Sequence, residues 1–288
     1  MPIHPPPPDD LHGLLDAFEH GVQAVVDLGN ACHEGDFDTP TECPGWTVKD
    51  QIAHVVGAEK ALSGMPSPLA EPPLHAHPWE ALGRLNAQDV EARRAVPGAQ
   101  VVAELASYLP DRMEELRGSG ATLDTVVGGF FGPETTFGAQ LRRRIIDVWC
   151  HEQDIRAALD RPGNLDTAGA RLFTAAILDE LPRLVARAAH VPPGATVVLD
   201  VTGPVLARGG ARVTTGADGR PFGEVLFSGH GHASGEGEEP SDVTTIHLTT
   251  EALTRRAAGR RSTEKIRYTV SGDDEVARRV LDALVVTG

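Results

Sequence analysis

The sequence predicts an α+β chain of two parts, a helical N-terminal domain followed by a smaller α+β domain. Two observations carry this. Apolar residues recur at helical spacing from Leu11 to about residue 190, and beyond VPPG at 191–194 they switch to period-two, β-branched runs. The length of 288 residues, 41% of them hydrophobic, is enough for two cores.

The elements follow in order. Residues 1–10, MPIHPPPPDD, are proline-rich and read as a disordered or extended lead-in that supplies no core. Leu11, Leu14, Leu15, Phe18, Val22 and Val25 form the apolar stripe of a first helix reaching about Cys32. CPGW at 43–46 marks a turn, and Thr47 with Asp50 makes a capping box that opens a second helix to about Leu62. A proline-rich link at 66–78 leads to helices near 79–95 and 99–117. A glycine-rich loop at 118–138 comes next, then a strongly periodic helix over 139–159 that ends at DRPGN. A last helix over about 167–190 completes an N-terminal domain spanning 11–190. The second domain, 194–288, contains the strands TVVLDV, ARVTT, GEVLF and TTIHL, a short helix near 250–258, the strand KIRYTV at 265–270 and a helix over about 273–285.

Composition excludes several classes of function. A formal net charge of −15 argues against nucleic acid or an anionic membrane as the partner, because phosphate binding relies on clustered Lys and Arg. No apolar run approaches the roughly 18 residues of a membrane helix, and the N-terminus lacks the pattern of a signal peptide. Three cysteines, Cys32, Cys43 and Cys150, are too few for a disulfide framework. The expected compartment is the cytoplasm.

One constellation carries chemistry. In Asp147-Val-Trp-Cys-His151 a carboxylate and an imidazole stand four residues apart, so both project from one helix face and can grip one metal ion. The third ligand must come from elsewhere, and His54, mid-helix in QIAHVVGAEK, is the candidate. Asp147 and His151 lie about 100° from the stripe of Leu141, Val148, Ile155 and Leu159, and His54 is displaced similarly from Val48, Ile52, Val55 and Leu62. Both flanks suit one cleft at the rim of a bundle; both equally suit water, where such a pair is only a solvated Asp–His. Glu59 and Glu152 fall inside the apolar stripes and require partners, with Arg143 and Arg156 as candidates. Cys150 points about 100° away from His151 and belongs in the core, while Cys43 reads as a small buried thiol.

Residues 41–60, TECPGWTVKDQIAHVVGAEK, and 144–163, RIIDVWCHEQDIRAALDRPG, resemble the two signature segments of the mycothiol-dependent maleylpyruvate isomerase family. The resemblance implies a DinB-like four-helix bundle whose zinc ligands are His54, Asp147 and His151. Asp147 stands where the family's isomerase has glutamate, and a shorter carboxylate still suits zinc. The C-terminal part, with LTRRAAGRRS and VSGDDEVARRVLDAL, is similar to the family's sterol-carrier-like domain. An arginine of that domain assists catalysis in the family, and the GR step implies Arg260, with Arg255, Arg256 and Arg261 nearby.

Two imidazoles and one carboxylate leave coordination positions open, as in a catalytic zinc site, and the same set suits Fe2+. The expected chemistry is that of a zinc-bound thiol, mycothiol by resemblance, added as thiolate to an electrophilic small molecule, by an isomerase or an S-transferase. The competing reading is non-enzymatic: a metal-stabilised sensor, or a module whose second domain holds an apolar ligand.

Overall fold

The computed structural model describes residues 3–65, 86–128, 134–217, 219–227 and 242–286. It divides into two compact units, Pro8–Gly163 and a second made of Met1–Pro7 with Asn164–Gly288.

The first unit is a four-helix bundle. Helix α1 (Leu11–Asn30) starts where Asp10 accepts from Gly13 N at 2.7 Å, and it buries the expected stripe of Leu14, Leu15, Phe18, Val22 and Val25. Helix α2 (Val48–Leu62) opens with the expected capping box, Thr47 accepting from Asp50 N and Asp50 from Thr47 N. Helix α3 covers Gly98–Gly118. The expected helix near 79–95 falls partly outside the described residues; 86–91 are helical. Before the fourth helix, β1 (Val126–Val127) pairs antiparallel with β2 (Thr135–Thr136), both within the expected glycine-rich loop. Helix α4 (Phe137–Ala158) begins two residues before the expected Ala139 because Thr136 supplies its N-cap, accepting from Ala139 N. Helix α1 packs on α3 and α4, and α2 packs on the same two. Phe18, Val25, Val48, Ile52, Val55, Val101, Leu105, Val148 and Ile155 are all at most 1% exposed between them. Removing so much apolar surface from water is the main stabilising term.

The second unit is α+β. Its sheet has the order β5-β4-β3-β6-β7, with β3 Thr196–Thr202, β4 Leu206–Thr215, β5 Pro221–Leu226, β6 Val243–Leu248 and β7 Tyr268–Ser271. Only β3 and β6 run parallel, and the other neighbours are antiparallel. Helices α5 (Ala168–Arg183), α6 (Thr250–Ala257) and α7 (Asp274–Ala283) complete it.

Two expected boundaries are corrected. The helix assigned to the N-terminal domain at 167–190 is α5, and it belongs to the second unit: Leu178 lies over Gly209 of β4, and the main chain of Pro182 lies directly against Gly223 of β5. The division falls at Gly163/Asn164, not at 190–194. Amphipathic spacing shows that α5 has a face to bury, but not which core receives it. The lead-in at 1–10 is also not wholly loose. His4 N donates to Leu206 O at 2.8 Å and Leu206 N to His4 O at 2.9 Å. Pro5 to Pro8 have no N–H, so the histidine before them is the one residue of 4–8 able to make both bonds of a bridge. Among the described residues no helix is long and apolar enough to cross a membrane.

Candidate metal centre

His54 lies at the middle of α2, seven residues after its cap, and Asp147 and His151 lie one turn apart on α4. Packing of α2 against α4 turns the two flanks toward each other. His54 Nε2 is 3.2 Å from Asp147 Oδ2, and His151 Nε2 is 3.6 Å from Asp147 Oδ1. The imidazole rings are 4.4 Å apart between centroids, and one donor atom from each of the three residues lies within 4.8 Å of the others. His54 and His151 are 2% and 6% exposed. The alternative of a solvated Asp–His pair is thereby set aside for the histidines; of the three side chains that of Asp147 is the most exposed, at 37%.

The donor set fits a divalent ion. Ligands about 2.0–2.1 Å from a tetrahedral centre stand about 3.3 Å from one another, close to the two separations seen here. A buried imidazole kept for hydrogen bonding uses both nitrogens, whereas His54 Nδ1 is buried with no hydrogen-bond partner among the described residues, and Nε2 is engaged toward Asp147.

Electrostatics act in the same direction. Burial, reinforced by the neighbouring His151, pushes the His54 pKa down to about 4 against the pull of Asp147, so the ring is neutral at pH 7 and has a lone pair to give. Burial pushes the Asp147 carboxyl up, but the Arg144 guanidinium, with His151 and His54, overrides it and holds the group well below the usual carboxylate range.

Several residues support the three donors. His151 Nδ1 meets Gln51 Oε1 at 2.5 Å, with Asp154, wholly buried, at 3.7 Å. The Gln51 amide is oriented by its Nε2, which donates to Thr41 Oγ1 at 2.7 Å, and Thr41 in turn donates to Trp46 O at 2.9 Å. The Trp46 ring covers both imidazoles, 5.2 Å from His54 and 5.6 Å from His151, the latter stacked at 24°. Arg144 donates to Asp147 Oδ2 at 2.7 Å and to Glu59 Oε1 at 2.8 Å. Thr41, Trp46 and Gln51 all stand in the segment that carries the family resemblance, yet their roles have no signature in spacing alone. Gln51, one turn before His54, is detectable only as a polar residue on a buried face.

The stripe carboxylates are paired, with one change of partner. Glu152 accepts from Arg156, one of the two candidates, at 2.7 Å, whereas Glu59 is held by Arg144 and Arg112 and by neither candidate. Cys150 is buried and Cys43 half-buried, and neither is in a disulfide. Arg260 stands in the second unit just beyond α6, half-buried, with its Nη1 donating to Ala258 O at 3.0 Å. Its neighbour Arg256 is buried and donates to Leu281 O and Asp282 O, so it caps the end of α7.

Fold and site together define a helical-bundle protein with a two-histidine, one-carboxylate centre, joined to an α+β unit. Residues 18–156 match the mycothiol maleylpyruvate isomerase N-terminal domain. Among solved structures it is similar to the mycothiol-dependent maleylpyruvate isomerase, with a TM-score of 0.54 and 16% identity over 91% of this chain and 94% of that one. A histidine-to-alanine mutant of that enzyme gives 0.53 and 14% over 90% and 92%. At these identities the likeness is one of fold. No curated protein matches the sequence.

Proposed function

We propose that this protein is a divalent-metal enzyme, zinc by the family resemblance, that binds a low-molecular-weight thiol, mycothiol, and adds it to an electrophilic small molecule in the cytoplasm. The observation that carries the reading is the convergence of His54, Asp147 and His151 donor atoms from two helices at 3.2 and 3.6 Å.

A divalent ion with open positions lowers the pKa of a bound thiol and supplies a thiolate at neutral pH. The chain's own residues prepare the place. Gln51 accepts the Nδ1–H of His151, which leaves the Nε2 lone pair toward Asp147. Arg144 steadies the Asp147 carboxylate on the side away from His151. Trp46 closes an aromatic wall over both rings and keeps water from them. Arg260 is the residue of the second unit that the family resemblance proposes as an aid to catalysis. Addition followed by bond rotation and thiol loss makes an isomerase; retention of the conjugate makes an S-transferase.

The test is elemental analysis of protein reconstituted with zinc, coupled to a thiol titration. One ion per chain is expected, with thiol binding that depends on it, and His54→Ala or His151→Ala should lose both. Metal-free wild type after reconstitution would refute the reading.

A further inference from the structure

We propose that Glu59 is a positioning residue for the metal centre: through Arg144 it holds the Asp147 carboxylate where an ion needs it. The inference rests on the divalent-ion reading above. The three donors are not equally anchored. Both imidazoles are buried and packed against each other and Trp46, and His151 is also tied to Gln51. Asp147 is the exposed member, 37% open to solvent on a short flexible stem, and is therefore the ligand that most needs a restraint.

Arg144 provides it from one turn earlier on α4, with Nη1 on Asp147 Oδ2. An arginine on its own helix has many rotamers, so it restrains its neighbour only if its other end is held. That end is held by Glu59 of α2: Arg144 Nε donates to Glu59 Oε1 at 2.8 Å, and the guanidinium cannot leave one carboxylate without losing the other. Glu59 is 1% exposed and is itself fixed from α3, where Arg112 Nε donates to Oε2 at 3.0 Å. The restraint on Asp147 thus runs Arg112, Glu59, Arg144 across three helices.

Charge gives Glu59 a second effect. Arg144 is a cation beside the place an ion would occupy, and on its own it competes for Asp147. Glu59 divides the guanidinium's charge between two carboxylates and weakens that competition, an effect magnified where water is scarce. A neutral residue at 59 leaves the Arg144 charge balanced by Asp147 alone. The same pair viewed as a mere interior salt bridge predicts changed stability and unchanged affinity for metal.

Chelator-competition measurements of Zn2+ and Co2+ affinity on wild type, Glu59→Gln and Arg144→Lys decide the matter, with thermal unfolding of each metal-free form. Glu59→Gln should bind both ions about 10–100-fold more weakly while remaining folded, as loss of an outer partner does elsewhere. Arg144→Lys, which replaces the rigidly separated Nε and Nη1 donors with one ammonium on a flexible stem, should weaken binding and alter the visible spectrum of bound Co2+. If wild type binds neither ion, the metal reading falls. If wild type binds and both folded variants keep its affinity to within about threefold and its Co2+ spectrum, the positioning role falls and the metal reading stands. If Glu59→Gln fails to fold, Arg144→Lys decides by the same criteria.

Discussion

Gln51 Oε1 accepts from His151 Nδ1 at 2.5 Å, and this bond decides which nitrogen of the histidine faces the other two donors. The amide has no freedom to present its nitrogen instead, because that nitrogen donates to Thr41. Thr41 is bonded in turn to the carbonyl of Trp46, so the turn preceding α2 and the tautomer of His151 are set together.

Replacing Gln51 with methionine keeps the volume and removes the acceptor. His151 Nδ1–H then loses its closest partner, at a cost of about 1–3 kcal/mol to stability, and affinity for the ion should fall about 10–100-fold. Thermal unfolding of the metal-free form and chelator competition measure the two effects separately. An unchanged affinity would show that the tautomer is set elsewhere.

Acid should weaken the metal-free protein through His54. Its folded pKa is about 4 against 6.5 for the free side chain, so between those values the unfolded chain binds more protons than the folded one. Stability is therefore complete above pH 6.5 and declines as the pH falls toward 4, by about 3 kcal/mol from this residue at about 1.4 kcal/mol per unit. Asp147, whose folded pKa is depressed below 3.8, adds a further loss at still lower pH. Melting temperatures across this range should fall less steeply in His54→Gln than in wild type; parallel curves would contradict the assignment.

Metal rather than a protein thiol should activate the nucleophile. Cys150 is buried in the bundle, and neither it nor Cys43 belongs to the three-donor cluster. A Cys43→Ser/Cys150→Ser double variant should keep bound metal and most thiol-dependent turnover, whereas Asp147→Asn should lose much of both. The opposite order, with the cysteine variant inactive and the Asp147 variant active, would point to a cysteine nucleophile.

Gly57, one turn after His54, is a steric requirement of the bundle. A Cβ there would stand 2.5 Å from Asp89 Cβ and 2.7 Å from its Cγ, and Asp89 is itself buried. Alanine favours a helix by about 1 kcal/mol over glycine, but overpacking costs about 1–3 kcal/mol. Gly57→Ala should therefore be net destabilising in denaturant titrations, despite the better helix former. A stabilised variant would mean that the 86–91 segment moves aside without cost.

The sequence by itself determined most of the helices, the strands and the three candidate donors. These depend on local rules: a 3.6-residue period, a capping box at Thr47 and Asp50, and a four-residue spacing that places Asp147 and His151 on one face. Tertiary structure decided everything that depends on which faces meet. Helical spacing left His54 and Asp147 equally suited to a cleft or to water, and only the packing of α2 on α4 brought them to 3.2 Å. It placed Arg144, not Arg143, on Glu59, because one residue turns a helix by about 100° and the two arginines face different neighbours. It gave α5 to the sheet rather than to the bundle, since an amphipathic stripe specifies that a core exists without specifying whose. The support from Gln51, Thr41 and Trp46 arose in the same way, from side chains up to 100 residues apart meeting in space, a relation that no local period encodes.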